Sequence, residues 1–179
     1  MLNPDKTCLI LIDVQEKLAA VMHDSQTMVS NCAILLQIAA TLEMPIVWCQ
    51  QYPKAIGPTV EPLRQHLHGI EPVDKLCFSG CGHPDGAARL EQTGAETAIL
   101  CGLESHVCVF QTAMDLIQKG LYVHVIADAV ASRTPANKQI GLDRMAAAGA
   151  VVSSTEMLLF ELLRTAEHPH FKTLSKLIR

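Results

Sequence analysis

Residues 97–120 read T-A-I-L-C-G-L-E-S-H-V-C-V-F-Q-T-A-M-D-L-I-Q-K-G and combine a strand, a sharp turn and a helix. The apolar start has the length of a strand, the turn occupies residues 102–106, and apolar residues then recur at helical spacing. Cys108 lies at the turn, where free helix N–H groups and the positive end of the helix dipole favour a thiolate over a thiol. The segment therefore predicts a nucleophilic cysteine at a strand-to-helix turn.

Strands and helices alternate along the rest of the chain. Short apolar runs predict further strands at residues 7–12, 45–50, 121–127 and 150–153. Helical spacing and capping residues predict helices from about residue 26 to before Pro45, and at 61–67, 87–94, 135–149, 157–165 and 170–178. This alternation predicts a single α/β domain over residues 1–179, with a three-layer, Rossmann-like, doubly wound parallel sheet and helices on both faces.

The composition narrows the classes of partner. The net charge is -4 and no run of Lys or Arg forms a basic stripe, so a small-molecule substrate is expected and a nucleic-acid partner is not. The apolar runs are too short to span a bilayer, so no membrane partner is expected. The first residues lack a charged leader followed by an apolar core, which makes the cytoplasm the expected location. Seven cysteines, an odd number, favour reduced thiols over a disulfide framework.

Two charged residues interrupt apolar segments, and each has two interpretations. Asp13 follows the first strand, where it either stands on the active rim of the sheet or caps the next helix. Capping is the commoner role for an aspartate in that position. Lys75 is either held near an anion or reaches to water along its aliphatic stem, and the sequence slightly favours the second.

Other chemically versatile side chains have simpler interpretations. The spacing of Cys77 and Cys81 fits neither a zinc knuckle nor a redox dithiol, so both are interpreted as structural. His66 and His68 do not share a helical face and are expected on the surface. His124, inside an apolar strand, is expected to be a core residue with its hydrogen bonds satisfied.

Three segments, L-I-L-I-D-V-Q at 9–15, D-K-L-C-F-S at 74–79 and C-G-L-E-S-H-V-C-V at 101–109, together resemble the isochorismatase-like hydrolase superfamily. The loop Q-Y-P-K-A-I-G-P-T at 51–59 and the stretch D-A-V-A-S-R at 128–133 are similar to the small isochorismatase domain-containing hydrolases. The likeness covers nearly the whole chain. Each motif alone is weak, but the set in this order is specific.

The resemblance implies a catalytic triad of Asp13, Lys75 and Cys108. It also implies a cis peptide between Leu103 and Glu104, and an oxyanion hole made by the backbone N–H groups of Glu104 and Cys108. A non-proline cis bond costs about 3–4 kcal/mol, so it would mark a functional turn. Candidate residues of the substrate pocket are Gln15, Tyr52, Leu103 and His106.

The expected reaction is hydrolysis of a small amide or carbamoyl-type substrate through a thioester on Cys108. Asp13 takes the thiol proton and delivers it to the leaving group, while Lys75 assists ionisation of the thiol. Alanine at any of the three is expected to abolish turnover and leave the fold intact. Two alternatives stay open: a vinyl-ether hydrolase that uses Asp13 as general acid without covalent catalysis, and a non-catalytic scaffold of the same fold.

No metal or other cofactor is expected. Nicotinamidases of the superfamily carry an Asp-x-His metal motif after the second strand, whereas residues 48–52 of this chain read W-C-Q-Q-Y. Oligomers are common in the superfamily, and only 18% of the residues are charged. A homo-oligomer is therefore expected.

Overall fold

A single parallel sheet organises residues 2–178, which are the part of the chain that the computed structural model describes. Its strands are β1 (Thr7–Ile12), β2 (Ile46–Gln51), β3 (Val73–Lys75), β4 (Thr97–Leu103), β5 (Tyr122–Ala131) and β6 (Val151–Ser153). They lie in the order β3-β2-β1-β4-β5-β6, and every neighbouring pair is parallel. The predicted Rossmann-like α/β fold is confirmed.

Helices cover both faces of the sheet. They are α1 (Glu16–Ala19), α2 (Ser25–Thr41), α3 (Pro53–Ile56), α4 (Glu61–Arg64), α5 (Pro84–Thr93), α6 (Cys108–Gln118), α7 (Pro135–Ala147), α8 (Thr155–Leu163) and α9 (Phe171–Leu174). Helices α2, α4, α8 and α9 pack on one face, and α5, α6 and α7 pack on the other. No helix within residues 2–178 has the length and apolarity needed to cross a membrane.

Strand β1 explains why a continuous apolar run identifies a central strand. All six of its residues are buried. Leu9 and Leu11 belong to the core on one side of the sheet, whereas Cys8, Ile10 and Ile12 belong to the core on the other. A strand buried on both faces has no solvent side, so its sequence does not alternate between apolar and polar residues.

Element boundaries differ from the sequence-based prediction where capping or irregular pairing decides them. Helix α5 begins at Pro84 and not at residue 87, because His83 caps it. Strand β5 continues to Ala131, past the predicted end at residue 127. It does so through a change of register in its pairing with β4. The predicted helix at 170–178 is restricted to α9.

The sheet reverses its winding between β1 and β4, since β2 lies on one side of this pair and β5 on the other. Gly102, near the end of β4, has φ +130°, and a Cβ there would lie 2.0 Å from the Ile12 carbonyl oxygen. Only glycine fits this close approach of the two strand ends. In open α/β sheets, ligands bind at the carboxyl ends of the strands beside such a reversal.

Candidate active site

Asp13 and Lys75 form a buried ion pair at the carboxyl end of the sheet. Asp13 directly follows β1 and has a left-handed backbone with φ 53°, a conformation that aspartate tolerates better than most residues. The Lys75 Nζ donates a hydrogen bond of 2.6 Å to Asp13 Oδ2, and both side chains are 0% exposed. The alternative interpretations, in which Asp13 caps a helix and Lys75 reaches to water, are both wrong, because Gln15 occupies the N-cap of α1 and the ammonium is enclosed.

The Lys75 ammonium is surrounded by oxygen acceptors. Besides Asp13, it donates to Gln51 Oε1 at 2.8 Å and to the Phe78 carbonyl at 3.0 Å, with the Cys77 carbonyl at 3.4 Å. Sequence reasoning missed Gln51. Its position as the last residue of β2 was the available signal, because that strand ends at the same edge as β1. A buried charge with this many partners has a fixed position.

Cys108 is the first residue of α6 and is 3% exposed. Burial raises the pKa of its thiol, the negative charge of Asp13 raises it further, and the positive charge of Lys75 lowers it by less. The helix end and Lys75, which were expected to favour the thiolate, are therefore outweighed by burial and by the charge of Asp13. Cys108 rests as a thiol beside the Asp13 carboxylate.

The Asp13 carboxylate has the character of a proton acceptor. Burial raises its pKa, while the charge of Lys75 and hydrogen bonding to it lower the pKa by less. Its second oxygen, Oδ1, has no hydrogen-bond partner of good geometry among residues 2–178, although Cys108 is close enough for each group to shift the pKa of the other. A raised pKa brings a carboxylate nearer to the range that suits general acid–base catalysis.

The turn between β4 and α6 is built around Glu104. This residue has φ 60°, and its carbonyl accepts hydrogen bonds from the N–H groups of Val107 (2.8 Å) and Val109 (3.3 Å). No cis peptide occurs in the described part of the chain, so the predicted cis bond between Leu103 and Glu104 is wrong. The left-handed backbone of Glu104 reverses the chain with a trans bond. Neither its N–H nor that of Cys108 donates to another described residue.

The Glu104 side chain forms a second acid–cation pair. Glu104 Oε1 lies 2.6 Å from Arg133 Nη1, in an arrangement that lacks the angles of a hydrogen bond. The Glu104 side chain is 12% exposed and that of Arg133 is 52% exposed. The charge of Glu104 raises the pKa of both Asp13 and Cys108. Arg133 ends the family-like stretch at 128–133, and the sequence alone indicates no role for it.

Comparison with known proteins identifies the family. The sequence profile described as the isochorismatase domain matches residues 7–157. The chain belongs to the isochorismatase family. Isochorismatase domain-containing protein 2A of Mus musculus is 38% identical over an alignment of 180 positions that covers 98% of this chain and 84% of the mouse protein.

Two solved structures relate this isochorismatase-family chain to known folds. The MAR1 ribonuclease from Caenorhabditis elegans is 36% identical, with a TM-score of 0.93 over 99% of this chain and 91% of that one. The YcaC gene product of Escherichia coli, described as an octameric hydrolase of unknown specificity, has a TM-score of 0.93 over 99% of this chain and 88% of that one. Its 22% identity shows a common fold alone. The chain thus has the hydrolase fold of the isochorismatase family.

The four residues predicted to line the substrate pocket of this isochorismatase-family chain have different surroundings. The fully buried Gln15 amide donates to the carbonyls of Gln51 (3.0 Å) and Gly57 (2.7 Å) and accepts from the Gln51 N–H (2.7 Å). These three hydrogen bonds hold the backbone beside the site. Leu103 lies in the apolar core. Roles in substrate binding stay predictions for Gln15 and Leu103, which are both 0% exposed in this structure.

The other two predicted pocket residues reach partly into solvent. Tyr52 is 49% exposed. His106 is half-buried, with its Nδ1 3.0 Å from Ser132 Oγ. A cavity of about 310 Å³ is lined by Tyr52, Pro53, Lys54, Asp74, Lys75 and Leu76. Roles in substrate binding stay predictions for Tyr52 and His106.

Among the other thiols of this isochorismatase-family chain, that of Cys49 also lies close enough to Asp13 and Lys75 for their charges to shift its pKa, but Cys49 is 0% exposed. All seven cysteines are free. Burial raises the pKa of Cys8 to about 12 and that of Cys81 to about 11. Within residues 2–178, no group of three or more His, Cys, Asp or Glu side chains is arranged to hold a metal ion.

Proposed function

We propose that this protein is a cysteine hydrolase of small amide or carbamoyl-type substrates, with Asp13, Lys75 and Cys108 as its triad. The observation that carries the proposal is a buried carboxylate that lies beside a thiol on one side and is paired to an ammonium on the other. These three groups come from distant parts of the chain and meet at the reversal of the sheet, where ligands bind in folds of this type.

In the proposed reaction, Asp13 removes the Cys108 proton as the sulfur attacks the substrate carbonyl carbon. The resulting oxyanion accepts hydrogen bonds from the N–H groups of Glu104 and Cys108. Asp13 then gives its proton to the nitrogen as the C–N bond breaks and the amine leaves. Water, deprotonated by Asp13, hydrolyses the thioester and restores the thiol.

A thiol with a raised pKa is compatible with this reaction because its proton has a designated acceptor. Asp13 carries a negative charge while Lys75 neutralises it, so proton transfer from Cys108 to Asp13 creates no new buried net charge. Lys75 then faces the developing thiolate without a competing carboxylate. The triad therefore activates the nucleophile during attack and not in advance.

The burial of the Cys108 thiol also favours a second candidate function. In a vinyl-ether hydrolase, Asp13 protonates the substrate and Cys108 only packs beside it. The raised pKa of Asp13 suits a general acid as well as a general base. The two functions differ in whether a covalent bond to Cys108 forms.

The decisive experiment screens small amides, ureas, carbamoyl compounds and vinyl ethers with the wild type, Cys108→Ala and Cys108→Ser. Covalent catalysis predicts a mass adduct on Cys108 and a loss of turnover of at least about a thousandfold in both variants. Cys81→Ala, which removes a half-buried thiol outside the shell of Lys75, is the matched control and should keep its activity. Full activity in Cys108→Ala refutes the covalent mechanism, and inactivity across the panel favours a non-catalytic scaffold.

The name of the Caenorhabditis elegans relative makes RNA a necessary member of the panel. The net charge of -4 gives this chain no general attraction for a phosphate backbone. We expect no cleavage of a labelled single-stranded RNA. Cleavage that is lost in Asp13→Asn and retained in Cys108→Ala would replace the amide proposal with a nuclease.

We also propose that the protein is a homo-oligomer. Leu76 (71% exposed) and Phe78 (50% exposed) place large apolar side chains at the surface directly beyond Lys75. Such side chains are better covered than left in water, and the Escherichia coli neighbour is described as octameric. Sedimentation velocity at micromolar concentration should show an oligomer, and a clean monomer contradicts the proposal.

A further inference from the structure

The Glu104–Arg133 pair lies beside the triad, but the proposed reaction uses only the backbone N–H of Glu104. The Glu104 carboxylate is nearly buried, four residues before the nucleophile, and close enough to raise the pKa of Cys108 and Asp13. An uncompensated carboxylate here would oppose every step that puts negative charge on the sulfur. Its only close cation among the described residues is Arg133.

We propose that Arg133 is a positioning residue for Cys108, which keeps the Glu104 carboxylate from repelling the negative charge that develops on the sulfur. This inference rests on the proposed function, in which Cys108 is the nucleophile. Arg133 acts through Glu104 and does not touch the thiol.

The backbone of the turn prevents Glu104 from moving away from the nucleophile. Its carbonyl accepts the N–H groups of Val107 and Val109, on either side of Cys108. Its left-handed conformation is unfavourable for a non-glycine residue and persists because the surrounding turn holds it. The backbone therefore keeps Glu104 beside the nucleophile, and its nearly buried carboxylate has the Arg133 guanidinium as its counter-charge.

The charges that face Cys108 balance only when Arg133 is counted. Asp13 and Glu104 supply two carboxylates, and Lys75 supplies one ammonium. The guanidinium of Arg133 completes two positive charges against two negative ones. Loss of Arg133 leaves one excess negative charge in a region of low dielectric constant, where it acts over several ångströms.

The two cations differ in their access to solvent, and this gives the proposal a second signature. Arg133 is 52% exposed, so salt screens its interaction with Glu104, whereas the fully buried Lys75 is protected from screening. Added salt should therefore weaken the effect of Arg133 on the reactivity of Cys108 and leave the effect of Lys75 unchanged.

The experiment measures alkylation of Cys108 by iodoacetamide, resolved from the other cysteines by peptide mass spectrometry, between pH 7 and pH 10. Arg133→Gln should slow alkylation about three- to tenfold at each pH, which corresponds to a pKa increase of about 0.5 to 1. Glu104→Gln should accelerate alkylation. The double variant Glu104→Gln/Arg133→Gln should return to within about twofold of the Glu104→Gln rate, because Arg133 acts through Glu104.

Two controls separate the charge of Arg133 from its contribution to folding. Arg133→Lys keeps the charge and should alkylate within about twofold of the wild type. Arg64→Gln breaks an exposed ion pair with Glu61 outside the site and should have no effect. The proposal is overturned if Arg133→Gln alkylates at the wild-type rate, if Arg133→Lys is as slow as Arg133→Gln, or if the double variant is as slow as Arg133→Gln.

Alkylation requires no turnover, so this test is independent of the hydrolase assay. A shifted pH profile in a protein without hydrolase activity would support the role of the pair and refute the proposed function. An unchanged profile in an active hydrolase would refute the role of Arg133 and leave the triad in place.

Discussion

The two acid–cation pairs of the site are built alike on the acid side and differently on the cation side. Asp13 and Glu104 follow adjacent strands, both have left-handed backbones, and both are buried with one oxygen lacking a hydrogen bond. Lys75 is sealed inside the protein, whereas half of the Arg133 side chain meets solvent. The same arrangement of the acid therefore gives two kinds of ion pair. The interaction with the buried lysine is protected from solvent, whereas the interaction with the half-exposed arginine is weakened by solvent and salt.

The largest difference between the pairs should appear when each cation is replaced by methionine. Lys75→Met leaves Asp13 buried without a partner and should reduce the free energy of unfolding by about 3–5 kcal/mol. Arg133→Met removes a half-exposed charge and should cost about 1 kcal/mol. Urea unfolding monitored by circular dichroism measures both. The complete burial of Lys75 alters the expectation that its loss leaves the fold intact.

Two further variants test whether the cost of Lys75→Met comes from the stranded carboxylate. Adding Asp13→Asn to Lys75→Met should recover part of the lost stability, because the unpaired charge is gone. Lys6→Met, which breaks the exposed pair with Glu96, should change stability by less than about 1 kcal/mol. The comparison fails if Lys75→Met is no more destabilising than Arg133→Met.

A smaller loss of stability is expected when the hydrogen bonds that support the Asp13–Lys75 pair are removed. Gln15→Leu removes three hydrogen bonds to the backbone of Gln51 and Gly57, and Gln51 in turn binds Lys75. Unsatisfied buried backbone groups should reduce the free energy of unfolding by about 2–3 kcal/mol. The same replacement at the exposed Gln65 is the control and should be nearly neutral in urea unfolding. Equal stability of the two variants would show that the Gln15 amide is dispensable.

The smallest effect on stability is expected from His124, a buried titratable residue that belongs to neither ion pair. His124 is 9% exposed, its Nδ1 has no hydrogen-bond partner among the described residues, and the expectation of a satisfied core histidine is wrong. Burial lowers its pKa, and the charge of Glu161 raises it by less. The unfolded chain therefore binds the proton more tightly. The stability contributed by neutral His124 is complete above pH about 6.5 and is lost as the pH falls towards the folded pKa.

Replacement of His124 by leucine should therefore flatten the dependence of unfolding free energy on pH between pH 7.5 and pH 5. Asp13, whose pKa is raised, gives a dependence of opposite sign, but it is present in both proteins and cancels in the difference. His68→Leu, at an exposed position, should leave the slope unchanged. A variant at position 124 with the wild-type slope would show that this histidine does not titrate differently on folding.

The sequence was most informative where one residue type has few structural uses. The apolar run at 7–12 and the one that begins at residue 97 predicted buried parallel strands, and the segment 102–106 predicted the turn that leads into α6. Resemblance of three short segments identified the family that the profile match then confirmed. The roles of Gln51 and Arg133 were not predicted, because a glutamine or arginine near a strand end is common and its function depends on its neighbour in space.

The sequence by itself determined the alternation of strands and helices, because local patterning of apolar residues encodes it. Its resemblance to a known family, carried by three short segments, singled out the acid, the lysine and the cysteine together. Tertiary structure alone decided the protonation of Cys108, the enclosure of Lys75, and the pairing of Glu104 with Arg133. Burial and charge proximity depend on elements that are distant along the chain. The pKa shifts and ion-pair energies that depend on them can therefore be inferred only from the packed structure.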